Sequence, residues 1–147
     1  MDFEIDLVLA PVDGSEDAEE SVEYAIAIAQ RYDADIHLLH VLEERVIHGL
    51  EVGDLTAATV AEQHRAFADE VRNRLPEAVS LSNSSAAGFT STRLAQTPGS
   101  VILDSAEELK ADFLVIPREQ ESDDPSETLG KAALHVLEYA SQPVLSV

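Results

Sequence analysis

Short apolar runs alternate with amphipathic segments along the chain, and this alternation restricts the possible folds more than any other feature. Four apolar runs have the length and the flanking turn residues of buried parallel strands: 5–10, 36–41, 112–116 and 143–147. A weaker candidate at 89–95, with polar residues on both faces, is predicted to be an edge strand. Helical patterns separate the strands, so the order βαβαβαβαβ predicts an α/β fold with a mainly parallel sheet and helices on both faces.

The segments between the strands divide into predicted helices and predicted connections. Four segments with apolar residues at helical spacing are predicted to be helices: 15–31, the row from Val60 to Leu75 that Pro76 ends, 98–109, and the row from Leu129 to Ala140. Three segments rich in charged, small or polar residues are predicted to be a link or loops: 43–53, 80–88 and 118–126.

Length and composition limit the class of protein. The 147 residues predict a single domain spanning 1–147, which at 45% hydrophobic residues has a globular composition. Cysteine is absent, which excludes disulfide frameworks, thiolate metal sites and cysteine nucleophiles. No apolar run approaches the length of a membrane span, and the first residues are acidic, so we expect a cytoplasmic protein.

The net charge is strongly negative. The chain has 29 Asp and Glu against 9 Lys and Arg, a formal charge of −20. Such a field repels nucleic acid and anionic membranes, so neither is expected as a partner. The carboxylates are spread along the whole chain, and this distribution predicts a surface adapted to the molar salt of a halophile's cytosol. The alternative is an ordinary acidic cytosolic protein.

Several catalytic and binding motifs are missing. The sequence has no Gly-x-Gly-x-x-Gly after the first strand, no phosphate-binding loop ending in Gly-Lys-Ser/Thr, and no Gly-x-Ser-x-Gly elbow. The five histidines show no metal-ligand spacing, and His37 and His40 are predicted to point to opposite faces of one strand. We therefore expect no metal and no catalytic residues, and we note that His40 lies near the carboxyl end of its strand.

The predicted sheet also indicates where a ligand would bind. In doubly wound sheets, ligands bind outside the carboxyl ends of strands, at the point where the strand order reverses. Two loops therefore qualify, one at 11–15 after the first strand and one at 117–129 after the fourth.

The motifs together resemble the universal stress proteins. They cover essentially the whole chain in order: LVLAPVDGS at 7–15, IHLLHV at 36–41, ADFLVI at 111–116, and the ending from Leu129 to QPVLSV at 142–147. The resemblance implies a Rossmann-like, flavodoxin-like open sheet of five parallel strands in the order 3-2-1-4-5. It also implies a homodimer joined through the last strand, formed by Pro143, Val144, Leu145, Ser146 and Val147. An edge strand offers unpaired backbone groups that a second copy can satisfy.

Family members that bind ATP carry Gly-x2-Gly-x9-Gly-Ser/Thr after the fourth strand, and this chain departs from that motif. Pro117 and Gln120 stand at the first two glycine positions, Gly130 keeps the third, and Lys131 replaces the hydroxyl residue. Proline removes a donor N–H, and the Cβ of Gln120 obstructs a close approach of phosphate. Arg118 and Lys131 offer side-chain contacts to phosphate instead.

The base-binding half of the family's site is retained. Val12, Asp13 and Val41 match positions that hold adenine and ribose in the members that bind nucleotide, and Pro11 is included among the expected nucleotide-binding residues. Asp13 has an alternative role, because an Asp at a strand–helix turn caps the helix whether or not a ligand is present.

Three functions follow as hypotheses. The first is a non-enzymatic, dimeric stress-response protein with a degenerate nucleotide site. The second is a nucleotide sensor that binds ATP or AMP, with slow hydrolysis or none, and ATP with Mg²⁺ as its cofactor. The third is a small regulatory subunit that docks on a transporter or an enzyme.

Overall fold

Strands and helices alternate along the chain in the computed structural model, which describes residues 4–87, 97–118 and 132–147. The elements in chain order are β1 (Leu7–Val12), α1 (Glu16–Tyr32), β2 (Asp35–Leu42), α2 (Glu44–Val52), α3 (Ala57–Arg72), β3 (Leu81–Ala87), α4 (Pro98–Leu109), β4 (Phe113–Ile116), α5 (Ala133–Tyr139) and β5 (Val144–Ser146). No helix among these residues is both long and apolar enough to cross a membrane.

The five strands form one parallel sheet in the order β3-β2-β1-β4-β5. This confirms the predicted fold class and strand order. The order reverses between β1 and β4, so the carboxyl end of β1 marks the switch point of the sheet. At that end, Val12 pairs with His40 and His40 pairs with Ser85, which places these three residues in one row across β1, β2 and β3.

Two layers of helices cover the sheet. On one face, the segment after α3 is joined to α1, because Arg74 forms an ion pair with Glu23 and its carbonyl accepts a hydrogen bond from Gln30 Nε2 at 2.9 Å. On the other face α4 packs against α5, where Gly99 lies against the His135 ring. The connections from β1 to β2 and from β2 to β3 move towards one edge of the sheet, whereas the connection from β3 to β4 moves towards the other edge. Because such connections are right-handed, the helices of the two groups lie on opposite faces of the sheet.

The core lies between these layers and the strands. Its largest fully buried side chains are Leu9, Ile36, Leu38, Leu39, Ile102, Leu114 and Ile116. The strands β1, β2 and β4 supply most of this set, in agreement with the apolar runs that predict buried parallel strands.

Helix ends agree with local sequence signals in two of the predicted helices. Ser15 caps α1 by accepting a hydrogen bond from the Ala18 N–H at 3.2 Å, and Asp33 ends the helix in the left-handed region at φ 54°. Thr97 caps α4 in a reciprocal pair with Ser100. The helices predicted at 15–31 and 98–109 are thus confirmed.

The predicted link at 43–53 was wrong, because α2 occupies most of it. This charged segment forms a short helix, which ends at Gly53 with φ 85°. Gly49 is buried against Leu55, where a Cβ would lie 2.8 Å from the leucine Cδ1.

The predicted loop at 80–88 was also wrong, because β3 occupies 81–87. The segment lacks the β-branched and aromatic residues that favour strands, but it pairs with β2 at seven positions. Hydrogen bonds between its serines and the rings of His37 and His64 stabilise the strand, and no local sequence pattern predicts them.

Other boundaries shift by a few residues. The strand predicted at 5–10 runs from Leu7 to Val12 and includes Pro11, and α3 ends at Arg72 before Leu75 and Pro76. The strand predicted at 89–95 lies outside the described residues, as does most of the loop predicted at 118–126.

Candidate functional site

A cavity of about 230 Å³ opens at the carboxyl ends of β1 and β2, at the switch point of the sheet. The turn after β1, the end of β2 and the inward face of α3 form its walls. Its lining residues are Val12, Asp13, Gly14, Glu19, His40, Val41, Leu42, Glu43, Val46, Val60, Gln63, His64 and Phe67.

The turn from β1 to α1 holds Asp13 in a fixed orientation. Asp13 Oδ1 accepts hydrogen bonds from the Ser15 N–H at 3.0 Å and from the Ser15 hydroxyl at 2.6 Å. Gly14 provides the turn at φ 86°, a conformation that residues with a Cβ rarely adopt. The carboxylate therefore has a structural role at the start of α1 and also lines the cavity.

Two histidines meet on the cavity wall. His40 and His64 stack with ring centroids 4.0 Å apart and ring planes 9° from parallel. His64 Nδ1 lies 3.0 Å from the hydroxyl oxygen of Ser85, the residue that pairs with His40 on β3. The hydrogen bond fixes the orientation of the His64 ring, and the stack then covers one face of His40.

His40 is the more buried ring of the two. Its side chain is only 4% exposed, and its Nε2 has no hydrogen-bond partner among the residues that the structure describes. Burial, reinforced by the neighbouring imidazoles of His64 and His37, lowers the pKa of His40 to about 4. Burial also lowers the pKa of His64, so the stacked pair is uncharged at neutral pH.

His37 lies on the opposite face of β2 and away from the cavity. Its two ring nitrogens are each 2.7 Å from a serine hydroxyl of β3, Ser82 for Nδ1 and Ser84 for Nε2. The sequence spacing of His37 and His40 predicts this separation, which the two sets of contacts confirm.

The structure brings together three of the residues predicted to form the site. Val12, Asp13 and Val41 line the cavity, whereas Pro11 is buried one position earlier in β1 and does not. Arg118, the second residue after β4, is also absent from the lining; its N–H donates to the Val147 carbonyl at 2.7 Å.

The altered phosphate loop falls largely on residues that the structure does not describe. Gln120, Gly130 and Lys131 lie outside the described ranges, while Pro117 is buried at the end of β4. The predicted replacement of backbone contacts by the side chains of Arg118 and Lys131 stays a prediction.

Sequence reasoning missed the contribution of α2 and α3 to the cavity. Val60, His64 and Phe67 are spaced four and three residues apart, which indicated a buried helix face but not a ligand site. Only the register of β2 and β3 against α3 shows that this face meets His40.

The predicted dimer strand lies at the edge of the sheet. In the described structure β5 pairs with β4 through hydrogen bonds such as Leu114 N–H to Pro143 O and Val147 N–H to Ile116 O, at 3.0 and 2.9 Å. Leu145 on β5 and Leu134 and Leu137 on α5 are solvent-exposed apolar side chains of this region.

No group of three or more His, Cys, Asp or Glu side chains suited to a metal ion occurs in the described part of the chain. The cavity instead offers carboxylates, uncharged imidazoles and apolar walls. These groups are suited to an organic ligand that makes hydrogen bonds and stacks its ring.

Comparison with known proteins gives a consistent assignment. A family model described as the universal stress protein family matches residues 4–147. A Staphylococcus aureus protein assigned to the universal stress proteins is 34% identical over 70 residues, which are 48% of this chain and 40% of the relative. The match therefore spans less than half the length of that curated relative.

Solved structures agree on the fold. The universal stress protein UspA from Lactobacillus plantarum superposes with a TM-score of 0.71 at 22% identity, over 99% of both chains. A universal stress protein from Archaeoglobus fulgidus, solved in complex with dAMP, superposes with a TM-score of 0.58 at 18% identity, over 99% of this chain and 98% of the other.

Proposed function

Because the chain belongs to the universal stress protein family, we propose that it is a non-enzymatic, dimeric stress-response protein that binds an adenine mononucleotide. The cavity at the switch point carries this proposal. It contains Val12, Asp13 and Val41, the residues that match the family's adenine and ribose positions.

The size of the cavity favours a nucleobase. Its volume of about 230 Å³ is below the roughly 300–1,000 Å³ of pockets that enclose a drug-sized ligand. The base then enters the cavity and the phosphate stays outside it. The Archaeoglobus fulgidus relative, solved with dAMP, supports a mononucleotide as the ligand class.

The sequence after β4 argues against a triphosphate. Pro117 and Gln120 replace two of the three glycines that let backbone N–H groups approach phosphate. The same segment adds carboxylates that repel a triphosphate: Glu119, Glu121, Asp123, Asp124 and Glu127. The proposal contains no catalytic step.

The dimer rests on the edge position of β5. An exposed parallel edge offers N–H and C=O groups to a second copy, and the nearby Leu134, Leu137 and Leu145 supply apolar area to bury. Sedimentation of Leu145→Lys against the unmodified chain tests this part. A charge on the contacting strand is expected to shift the protein towards monomer, and a monomeric unmodified chain would contradict the proposed dimer.

Calorimetric titration of AMP and of ATP with Mg²⁺, each in molar KCl at neutral pH, tests the ligand. We expect AMP to bind with a Kd below ~100 μM, about 5.5 kcal/mol of binding free energy, and ATP to bind more weakly. Tighter binding of ATP would favour the sensor hypothesis with Arg118 and Lys131 as phosphate contacts. Absence of heat with both nucleotides would contradict nucleotide binding altogether.

A further inference from the structure

The cavity wall contains a polar atom that the fold itself leaves unsatisfied. His40 is 4% exposed and lines the cavity, yet its Nε2 has no hydrogen-bond partner within the described structure. Buried polar groups in native proteins nearly always have a partner, and an exception calls for an explanation such as a ligand. His37, three residues earlier and equally buried, has both ring nitrogens bonded.

We infer that His40 selects the heterocycle of the bound ligand, with its Nε2 forming a hydrogen bond to a ring nitrogen or amino group of an uncharged purine. The inference rests on the proposed nucleotide binding and names the residue that distinguishes one base from another. The other lining residues provide the shape and the electrostatic environment for this contact.

The charges of the cavity favour an uncharged group inside it. Asp13, Glu19 and Glu43 contribute carboxylates, and no Lys or Arg occurs among the described lining residues. An anionic phosphate is therefore repelled from the interior, whereas a neutral ring is not. A purine presents both donors and acceptors on its edge, which an imidazole with one N–H and one bare nitrogen can match.

The shape of the wall suits a planar ligand. His40 and His64 form a stack, and Val12, Val60 and Phe67 add apolar surface around it. Ser85 fixes the orientation of the outer ring through its hydrogen bond to His64. Flat aromatic and aliphatic walls of this kind favour stacking of a heterocycle.

The test compares nucleosides that differ only on the edge of the base, so that phosphate contacts play no part. Adenosine, inosine and purine riboside are titrated by calorimetry in molar KCl into the unmodified protein, His40→Leu and His40→Gln. His37→Leu is the matched control, because it makes the same change at a buried histidine of the same strand outside the cavity.

We expect the unmodified protein to distinguish the best from the worst nucleoside by about tenfold, the effect of one hydrogen bond. His40→Leu is expected to bind the best nucleoside about tenfold more weakly and to lose the discrimination. His40→Gln, whose amide reaches a similar position, is expected to retain part of it, and His37→Leu to leave the ratios unchanged.

A purely structural role for His40 would weaken all three nucleosides equally, and unchanged ratios in His40→Leu and His40→Gln would overturn the inference. That result leaves nucleotide binding intact. Absence of binding by every nucleoside while AMP binds also overturns it, since the phosphate would then supply the affinity. If neither AMP nor any nucleoside binds, the proposed function fails together with the assignment of His40.

Discussion

The buried imidazole of His40 gives the protein a specific dependence of stability on pH. Burial beside His64 and His37 lowers its pKa from 6.5 to about 4, so the unfolded chain binds the proton more tightly than the folded one. The contribution of His40 to the unfolding free energy is therefore fully present above pH 6.5 and is lost as the pH drops towards 4. The difference of about 2.5 pKa units, at about 1.4 kcal/mol each, corresponds to about 3 kcal/mol of unfolding free energy.

Urea unfolding between pH 7.5 and 4, at constant KCl, measures this loss for the unmodified protein and for His40→Gln. Asp13, Glu19 and Glu43 line the same cavity. Their contribution is present in both proteins, so the difference between the two curves isolates His40. We expect the difference in unfolding free energy between the unmodified protein and His40→Gln to change by about 3 kcal/mol from pH 7 to pH 4. The change should favour the variant in acid.

Two controls support the interpretation. His37→Gln tests the other buried histidine of β2, whose pKa burial also lowers. Since burial is the first cause of the shift at His40, the loss of stability should persist in molar salt, where charge–charge effects are screened. Parallel pH curves for the unmodified protein and His40→Gln would refute the reasoning.

Three other predictions address salt, packing and capping. The free energy of unfolding should rise steeply with KCl because the net charge is −20, and equal stability in dilute buffer would contradict the halophile hypothesis. Gly99→Ala places a Cβ 2.7 Å from His135 Cδ2 and should destabilise the fold by about 1–3 kcal/mol in urea titrations. In a His135→Ala background most of this loss of stability should disappear. An equal loss in that background would contradict the contact between positions 99 and 135. Ser15→Ala removes the cap of α1 and a partner of Asp13 and should cost about 1 kcal/mol in thermal unfolding, with no change in Tm as the contrary result.

Most strands of the sheet were predictable because their own sequences carry the information, whereas the strand order was predicted from the family resemblance. The apolar runs at β1, β2 and β4 are buried on both faces, and this environment demands the continuous apolar sequences that they have. The edge strand β3 carries no such run. Its serines are exposed, and their pairing depends on β2 and on histidines elsewhere in the chain. The helix α2 was not predicted for a related reason, because nine residues give too few turns for a periodic pattern to stand out.

The candidate site divides in the same way. Val12, Asp13 and Val41 belong to contiguous motifs, so the family resemblance identifies them from the sequence alone. His64 belongs to the site only because the packing of α3 places its ring against His40. Ser85 contacts His64 only because of the register in which β3 pairs with β2. These contacts join residues 21 and 24 positions apart, and no local pattern encodes them.

The two kinds of site residue also differ in what they say about function. Asp13 accepts hydrogen bonds from Ser15 at the start of α1, so it stabilises the fold whether or not a ligand binds in the cavity. Its presence alone is therefore weak support for binding. The nitrogen of His40 is different, because leaving it buried without a partner lowers stability and does nothing for the fold. The imidazole of His40 is therefore the stronger support for the proposal that this cavity receives a ligand.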